Sequence, residues 1–568
     1  MNILGVHIGH DSSAALLVDG QVVADVAEER FSRVKHFGGL PARSVEYCLR
    51  AAGLKSSDID IVTVSSSHLF PELSNLFDIS PGTLELGIDR YGQGSPFDRQ
   101  AGIQGLTRPP IYVTRQVLDP GRTRIVHVEH HLAHAASAYF TSGNPDRQLV
   151  VTADGMGDNV PLAIWQGEGG RLTLLREFPP SASLGWFFSN VTEALGWWHG
   201  DGEGTTMGLA PYGDPARAAG ALAPYGPRFG GGELLEGHEF GKVYAWNETG
   251  AGHWHLEDAV QISGLVDRYG REDVAAAAQS ILEQQMAEVI FPWLDRTGTT
   301  RLSCAGGIFL NVKLNQRIWS SGRLTAHHIF PNPGDAGLAL GAALYLHHRA
   351  NPAAPVQGLK HLYWGPEYSD DEIARVLAER KLAASFEADI AGTVAGLLAK
   401  DKIVGWFQGR MEAGPRALGG RSILMSPMRA ENKDVINARV KFREAFRPFC
   451  PSILAEDAPH YLEKYRPEAF MITSFDVAAD KRHLLPAVVH ADGTLRPQCV
   501  EASVNPLYWR LISEFKRLTG VPALLNTSLN IKGEPMICAP REAIRCFFDS
   551  GMDYLALGSY LLAKPDVG

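Results

Sequence analysis

The chain has 568 residues, and its 53 Lys and Arg against 63 Asp and Glu give a net charge of −10. The length allows two to four domains at roughly 150 residues each. A content of 45% apolar and 20% charged residues is that of a globular protein and excludes a disordered chain. The acidic balance disfavours non-specific binding to nucleic acid or to an anionic membrane, so we expect neither partner.

Three features concern the location of the protein. The six cysteines are scattered and form no CxxC pair, which disfavours a disulfide framework and is typical of a reducing cytoplasm. The N-terminus, MNILGVHIGHD, has neither a basic region nor a long apolar core, so no signal peptide is expected. The apolar stretch at residues 336–346 is shorter than the roughly 20 residues that span a bilayer.

The sequence contains a weak internal repeat. Near the N-terminus, NILGVHIG predicts a strand that enters a polar loop and is followed by a hairpin about Asp19-Gly20. Later, QLVVTADGMGDN predicts a buried strand that enters an acidic, glycine-rich loop, again followed by a hairpin. The repeat predicts two related lobes that face a cleft, with both loops pointing into it.

Helices and a domain boundary complete the predicted organisation. Helical patterns occur in EHHLAHAASAYFTSG, VAAAAQSILEQQMAEVIFPWL and GDAGLALGAALYLHHR. A Pro- and Gly-containing stretch at about 347–365 interrupts the pattern, and the remaining residues have strands and helices of their own. We therefore predict an α/β protein with one domain at 1–355 and a second at 356–568.

The two repeat loops are candidates for binding phosphate. A turn rich in Gly and Ser, as in residues 7–13, offers backbone N–H groups to phosphate, although it is equally typical of an ordinary hairpin entry. In the second loop, Asp154 and Asp158 are a pair of acids that could hold a metal beside the phosphates.

Histidines at helical spacing are candidates for metal ligands. His130 and His134 are four residues apart and share one face of the predicted helix, but His127 and His131 have the same spacing. With 20 histidines in the chain, chance predicts roughly 0.7 such pairs, so structural histidines are the alternative. The choice between the pairs stays open at this point.

Two further constellations could bind ligands. Gly306 and Gly307 follow a predicted buried strand, where they would admit a flat or anionic ligand or form a tight strand–helix turn. The last 160 residues combine the Gly- and Arg-rich stretch 409–422 with further cations and an Asn-Thr-Ser strand end. Guanidinium, amide and hydroxyl donors of this kind suit a small phosphate-bearing anion, with solvated surface charge as the alternative.

In this order, HDSSAALLVDG, AEERFSRVKH, EHHLAHAASAY, MGLAPYG, CAGGIFLN, GPRALGGRS, KFREAFRPFCPS, RPQ and LNTSLNIKGEP resemble one family, the O-carbamoyltransferases of antibiotic biosynthesis and nodulation-factor decoration. The resemblance covers nearly the whole chain. It implies an actin/Hsp70-like lobe pair, related to the catalytic protein of tRNA threonylcarbamoylation. A smaller domain related to the YrdC-type carbamoyl-adenylate synthase would follow.

The resemblance also implies a reaction. Carbamoyl phosphate is hydrolysed to carbamate in the C-terminal domain, and carbamate reacts with ATP in the N-terminal domain to give carbamoyl adenylate. A hydroxyl of a small natural product or sugar then takes the carbamoyl group. The implied cofactors are a divalent metal, typically iron, and Mg²⁺ with ATP; a homodimer is a possible assembly.

Matching the family motifs assigns residues to these roles. The implied metal ligands are His130, His134, Asp154 and Asp335. The implied general base is His10, with Lys35 as its neighbour. The implied carbamoyl-phosphate site contains Arg416, Lys441, Arg447, Arg496, Asn526 and Ser528, and the implied nucleotide site contains Gly306, Gly307, Asn311 and Asp154.

One position departs from the family, and two other functions compete with this interpretation. Thr205 stands where the family often has Lys, so a cationic contact is lost there.

One alternative function is that of an enzyme of the tRNA threonylcarbamoylation type, which the net charge of −10 disfavours. The other is an ATP-gated actin/Hsp70-like binding protein, which would not need the Arg- and Lys-rich second domain.

Overall fold

The computed structural model describes residues 1–66, 84–88, 124–246 and 252–564. It divides into an N-terminal unit, Met1–Val23 with Gly38–Leu359, and a C-terminal unit, Ala24–Phe37 with Lys360–Gly568. The sequence had placed residues 24–37 in the first domain. The structure groups them with the C-terminal unit instead, because their side chains contact loops between residues 411 and 542.

The first sheet of the N-terminal unit has the strand order β3-β2-β1-β4-β6-β5. Strand β3 pairs with β2 across the predicted turn at Asp19-Gly20. Strand β2 is antiparallel to β1, whereas β4 is parallel to β1 and β6 is parallel to β4. The strands are β1 (Asn2–His7), β2 (Ser13–Val18), β3 (Gln21–Ala27), β4 (Ile61–Val64), β5 (Leu84–Ile88) and β6 (Arg124–Val128).

The second sheet repeats this arrangement. Its order is β15-β14-β7-β8-β9, with β8 antiparallel to β7 and with β14 and β15 parallel to it in turn. Hairpin, central strand and parallel strands thus recur in the same order, which confirms the internal repeat and the actin/Hsp70-like pair of lobes. The strands are β7 (Gln148–Gly157), β8 (Val160–Glu168), β9 (Arg171–Glu177), β14 (Arg301–Ala305) and β15 (Ala326–Ile329).

Two short hairpins and a set of helices accompany these sheets. The hairpins pair β10 (Arg228–Gly230) with β11 (Glu233–Glu236), and β12 (Lys242–Trp246) with β13 (Gly252–Leu256). The helices are α2 (Ala42–Ala52), α3 (His130–Phe140), α4 (Leu184–Ala194), α5 (Glu203–Leu209), α6 (Pro215–Leu222), α7 (Glu257–Tyr269), α8 (Arg271–Thr297), α9 (Val312–Ser320) and α10 (Leu338–Ala350); α1 (Glu29–Ser32) belongs to the C-terminal unit.

Close packing of α3 on α10 fixes the centre of the N-terminal unit. All residues of α3 are buried, including its three histidines. A Cβ atom at Gly341 of α10 would overlap the carbonyl of Ala133 in α3, so glycine allows the two backbones to approach. The helix that carries the predicted histidine ligands is therefore held rigidly beside the helix that follows Asp335.

The C-terminal unit is built around a mixed sheet of order β16-β25-β24-β17-β18-β23-β19-β22, with β20 and β21 as a separate pair. The strands are β16 (Ser385–Phe386), β17 (Val404–Phe407), β18 (Arg421–Met425), β19 (Cys450–Leu454), β20 (Phe475–Asp476), β21 (Thr494–Leu495), β22 (Gln498–Val500), β23 (Ala523–Ser528), β24 (Tyr554–Leu557) and β25 (Tyr560–Ala563). The helices are α11 (Asp370–Glu379), α12 (Ile390–Leu398), α13 (Glu431–Ile436), α14 (Pro506–Thr519) and α15 (Pro540–Phe548).

The mixed sheet brings distant parts of the chain together. Cys450 pairs with Asn526 across β19 and β23, and Ser422 pairs with Ser528 across β18 and β23. A π-helical turn, Asn437–Lys441, follows α13 directly and places Lys441 at its end. The predicted anion-binding residues therefore come from loops and strand ends at one sheet.

Two sequence expectations concern cysteines and membranes. The six cysteines all lie within the described ranges, where they are buried and free of disulfide bonds. Within the part of the chain that the structure describes, no helix is both long and apolar enough to cross a membrane.

Candidate functional site

Two histidines and two aspartates from three parts of the N-terminal unit meet at one point. One side-chain donor atom from each of His130, His134, Asp154 and Asp335 lies within 4.8 Å of the others. His134 Nε2 lies 3.2 Å from Asp154 Oδ2 and 3.8 Å from Asp335 Oδ1. The histidines occupy successive turns of α3, Asp154 lies on β7, and Asp335 begins the turn before α10. Two imidazoles and two carboxylates are a donor set that suits a divalent transition metal.

The other histidine pair is engaged elsewhere. His131 contacts Thr152 Oγ1 at 2.9 Å through Nδ1 and the Val160 carbonyl at 2.6 Å through Nε2. His127 Nδ1 lies 2.9 Å from the carbonyl of Ser66. Of the two pairs that the spacing left open, the structure brings His130 and His134 to the aspartates.

Electrostatics indicates that the cluster is arranged to hold positive charge. Burial alone would lower the pKa of His130, but Asp335 and Asp154 raise it to about 9. Burial alone would raise the pKa of Asp154, but the nearby imidazoles of His130 and His134 hold it well below its ordinary value. Among the described residues, His130 Nε2 has no hydrogen-bond partner. A cation between these atoms would replace the imidazolium protons, so the residues present fit a metal.

His10 lies beside this cluster. Its Nε2 is 3.2 Å from Asp335 Oδ2 and its Nδ1 is 3.1 Å from Asp11 Oδ2, while 72% of the side chain is exposed. Asp335 and then Asp11 raise the pKa of His10 to about 10. The predicted base thus faces both solvent and a predicted metal ligand.

The structure places a second histidine behind His10 that the sequence analysis had not identified as functional. His7 is 5% exposed, and its Nδ1 contacts Ser65 Oγ at 2.9 Å. Its Nε2 lies 3.1 Å from the carbonyl oxygen of His10, and burial lowers its pKa to about 4. A neutral His7 therefore anchors the backbone of the loop that presents His10.

Asp158 supports the helix that carries the predicted metal ligands rather than joining the cluster of four donors. Its Oδ2 accepts a hydrogen bond from the His130 backbone N–H at 3.0 Å, and its Oδ1 accepts one from Ser66 Oγ at 3.0 Å. A Cβ atom at Gly157 would overlap the His130 ring, so the turn lies directly against that ring. The acid pair expected from the sequence is thus split: Asp154 enters the donor cluster and Asp158 anchors the first turn of α3.

The predicted nucleotide-binding turn lies next to Asp154. Gly306 has a φ of 104°, and its N–H donates to the Pro333 carbonyl at 2.7 Å. A Cβ at Gly307 would lie 2.9 Å from Asp154 Oδ1. Asn311 caps α9 by accepting from Leu314 N–H at 3.0 Å, so its side chain holds the turn in place. Nucleotide binding at this turn stays a prediction.

Two other positions complete the N-terminal part of the sequence. Thr205, which replaces the family's usual Lys, is 2% exposed on α5. Lys35 belongs to the 24–37 segment of the C-terminal unit, and its role beside His10 stays a prediction.

The C-terminal unit collects cations around a buried thiol. Arg496 Nε donates to Cys450 Sγ at 3.0 Å. Burial, followed by the charge of Arg496, lowers the pKa of Arg416 to about 9. Burial, followed by the charge of Arg447, lowers the pKa of Arg443 to about 9. An anion would offset the burial and the like charges that lower the pKa of Arg416 and Arg443, which favours anion binding here.

The side chain of Lys441 extends from the π-helical turn to the end of β23. Its Nζ donates to the Ser528 carbonyl at 2.6 Å, to the Asn530 carbonyl at 2.9 Å and to Asn530 Oδ1 at 2.7 Å. Burial and the charges of Arg443 and Arg447 lower the pKa of Lys441 to about 7. Asn526 donates its amide to Ala417 O at 3.0 Å and thereby ties the strand end to the loop of Arg416.

The Gly- and Arg-rich stretch contains arginines with different surroundings. Arg421 is fully buried and donates to the carbonyls of Gln408, Gly409, Gly420 and Pro366 at 3.0–3.1 Å. Glu412 Oε1 accepts from three backbone N–H groups, those of Leu418, Gly420 and Arg421, at 2.6–3.1 Å. These two residues hold the loop that carries Arg416. The roles of Glu412, Cys450 and Asn530 depend on contacts that the sequence pattern does not show.

Both the N-terminal and the C-terminal parts of the chain match models of known protein families. Residues 2–72 and 113–344 match the carbamoyltransferase N-terminus model, and residues 395–564 match the carbamoyltransferase C-terminus model. The chain belongs to the carbamoyltransferase family. The chain is similar to Nodulation protein NolNO of Sinorhizobium fredii, with 38% identity over 98% of this chain and 79% of that protein.

Other similarities extend to proteins with different descriptions. Uncharacterized protein sll1178 of Synechocystis is 34% identical over 99% of this carbamoyltransferase and 97% of its own length. Among solved structures, component A of the Acidaminococcus fermentans (R)-2-hydroxyglutaryl-CoA dehydratase has 16% identity and a TM-score of 0.36, covering 62% of this chain and 99% of its own.

Proposed function

We propose that this carbamoyltransferase uses carbamoyl phosphate and ATP to transfer a carbamoyl group to a hydroxyl of a small natural product or sugar. The observation that carries the proposal is the cluster of His130, His134, Asp154 and Asp335 beside the exposed His10. The cluster offers a place for a cation, and His10 offers a proton acceptor next to it. Family membership supplies the group that is transferred.

In the C-terminal unit, the cations around Cys450 would bind the phosphate of carbamoyl phosphate. Attack of water releases inorganic phosphate and carbamate. Each charge-assisted hydrogen bond to such a dianion contributes about 1.5–3 kcal/mol, so the loss of one arginine would weaken binding measurably. Carbamate decomposes in water, which favours a reaction path closed to solvent.

In the N-terminal unit, carbamate would attack the α-phosphorus of ATP, forming carbamoyl adenylate and releasing pyrophosphate. A divalent metal held by His130, His134, Asp154 and Asp335, iron by the family resemblance, would polarise phosphate oxygens as a Lewis acid. The backbone at Gly306 and Gly307 lies beside Asp154 and could approach the nucleotide closely.

His10 would then accept the proton of the acceptor hydroxyl as that oxygen forms a bond to the carbamoyl carbon and AMP leaves. Asp11 would retain a proton on Nδ1 of the neutral ring, which leaves Nε2 as the proton acceptor. Asp335 and Asp11 raise the pKa of His10 to about 10, so Nε2 must lose its proton before the ring can act as this base.

The test is the set of products formed from carbamoyl phosphate, ATP and a panel of hydroxylated natural products. The proposal expects pyrophosphate, AMP and inorganic phosphate in amounts that match the carbamoylated product. Release of ADP and phosphate from ATP alone would indicate an ATP-gated protein of the actin/Hsp70 type. Threonylcarbamoylation of tRNA without any small-molecule product would favour the tRNA-modifying alternative.

A further inference from the structure

The 24–37 segment brings two arginines onto loops of the C-terminal unit. Arg30 lies on the short helix α1, and Arg33 follows it with a φ of 61°. The two are three residues apart, and the side chains of both donate to backbone carbonyls of that unit. Positive φ is uncommon for a residue other than glycine, so the contacts of this segment hold Arg33 in that conformation.

Arg30 fixes the loop that carries Arg416. Its guanidinium donates to the carbonyl of Gly414 at 2.9 Å, two residues before Arg416, and only 7% of Arg30 is exposed. Glu412 holds the far end of the same loop through the N–H groups of Leu418 and Gly420. Arg416 therefore lies between two fixed points of the backbone.

Arg33 fixes the loop that supports Lys441. It donates to the carbonyls of Met536 and Pro535, both at 2.7 Å, and contacts the Glu534 carboxylate at 3.4 Å. The carbonyl of Glu534 accepts from the amide of Asn530 at 2.8 Å, and Asn530 Oδ1 accepts from Lys441 at 2.7 Å. Hydrogen bonds at both ends of the 534–536 backbone thus connect Arg33 to Lys441.

An apolar contact joins the two arginine contacts. Phe31, between Arg30 and Arg33 in sequence, packs against Met411, Ala417, Met536 and Cys538. These residues come from the same two loops that the arginines hold. One turn of helix therefore binds both loops through polar and apolar contacts together.

We propose that Arg30 and Arg33 are positioning residues of the carbamoyl-phosphate site, which the N-terminal sequence thereby completes. The inference rests on the proposed function, because it assigns the anion to Arg416 and Lys441. The two arginines act through the backbone at Gly414 and at residues 534–536. A forked guanidinium that holds two successive carbonyls is not reproduced by the single point charge of a lysine.

The direct test measures binding of inorganic phosphate by calorimetry and phosphate release from carbamoyl phosphate by the full-length protein. In Arg30→Ala and Arg33→Ala we expect phosphate affinity to fall about ten- to hundredfold and KM for carbamoyl phosphate to rise more than kcat falls, because a displaced contact is costly. Arg33→Lys should lie between wild type and Arg33→Ala. ATP binding should be unchanged in all three variants.

Arg545→Ala is the matched control. Arg545 reaches the same Glu534 carboxylate at 2.8 Å, but its side chain is 55% exposed. Removing it leaves the carbonyl contacts of Arg33 in place, so phosphate affinity should stay within about twofold, as exposed pairs contribute little. An equal loss of phosphate affinity in Arg545→Ala and Arg33→Ala would contradict a role for the contacts between Arg33 and the backbone carbonyls.

Hydrogen exchange provides a readout that does not depend on turnover. Backbone amides at 414–421 should lose protection in Arg30→Ala, and those at 530–537 in Arg33→Ala, while amides of β24 keep theirs. Unchanged affinity and unchanged exchange in both alanine variants would overturn the inference. Failure of the wild-type protein to bind phosphate or to cleave carbamoyl phosphate would instead overturn the proposed function, and the anion-site role with it. If an alanine variant does not fold, wild-type affinity and exchange in folded Arg33→Lys would overturn the role of Arg33.

Discussion

A buried carboxyl on β3 should make the stability of the protein depend on pH. Asp25 is 1% exposed, and its Oδ2 has no hydrogen-bond partner among the described residues. Burial raises the pKa of Asp25 from 3.8 to about 8. The folded state therefore keeps the carboxyl protonated at pH values where the unfolded chain has lost that proton, so this group destabilises the fold increasingly as the pH rises from 4 to 8.

Replacement of Asp25 by Asn should remove this dependence. The interval between 3.8 and about 8, at 1.36 kcal/mol for each pKa unit, gives a ceiling of about 6 kcal/mol for the relative stabilisation at pH 8. One third of that ceiling, about 2 kcal/mol, would raise Tm by about 4–8 °C in a cooperative unit of 150–250 residues. Near pH 4 the carboxyl is protonated in both states, so the two proteins should differ little.

The assay is Tm by scanning fluorimetry at pH 5, 6, 7 and 8 for wild type and Asp25→Asn. The exposed Asp267→Asn is the control, and its Tm should follow the wild type at every pH. The quantity of interest is the slope of the Tm difference with pH, since a fixed offset reports the cost of burying the amide instead. A difference that stays constant or falls from pH 5 to pH 8 would refute the assignment of a buried, protonated Asp25.

Three further predictions address the proposed sites. Both His134→Ala and Asp335→Ala should lose the bound metal in elemental analysis, and stoichiometric metal in both purified variants would contradict the four-donor cluster. His10→Asn should bind ATP and carbamoyl phosphate normally but transfer the carbamoyl group about 10²–10⁴-fold more slowly, and wild-type turnover would exclude His10 as the base. Lys441→Ala and Arg416→Ala should stop phosphate release from carbamoyl phosphate while ATP binding survives, whereas His134→Ala should still release that phosphate. If Lys441→Ala and His134→Ala each fold but lose both phosphate release and ATP binding, the two sites are not separate.

The sequence predicts the parts of this fold that depend on local pattern. The hairpin about Asp19-Gly20 and its counterpart after β7 are found as β2–β3 and β8–β9, since a two-residue period and a turn dipeptide act over short distances. The matching strand order of the two sheets confirms the repeat on which the lobe pair was inferred. Local pattern does not separate His130 and His134 from His127 and His131, because both pairs have the same spacing.

The elements that the sequence does not predict depend on partners far along the chain. Residues 24–37 match the N-terminal family model, yet they belong to the C-terminal unit through contacts that join distant parts of the chain, such as the 503-residue separation between Arg33 and Met536. His7 and Asp158 are similar: Ser65 and Ser66 lie at the end of another strand, and only the assembled sheet brings those hydroxyls close. The two family domains, which are defined along the sequence, therefore do not coincide with the two structural units, which are defined by contacts.

The stretch Gly409–Ser422 shows why residue type alone does not assign a function. Arg416 and Arg421 are five residues apart in the same Gly-rich sequence, and each would suit an anion. The four carbonyls around Arg421 use its guanidinium donors to hold the loop, and the Phe407 ring lies 3.6 Å from its central carbon. Burial, followed by the charge of Arg496, lowers the pKa of Arg416, so an anion would stabilise Arg416, whereas Arg421 already donates to backbone carbonyls. Residue type therefore does not distinguish the two arginines, whereas the groups around each guanidinium do, and they make Arg416 the better candidate for binding an anion.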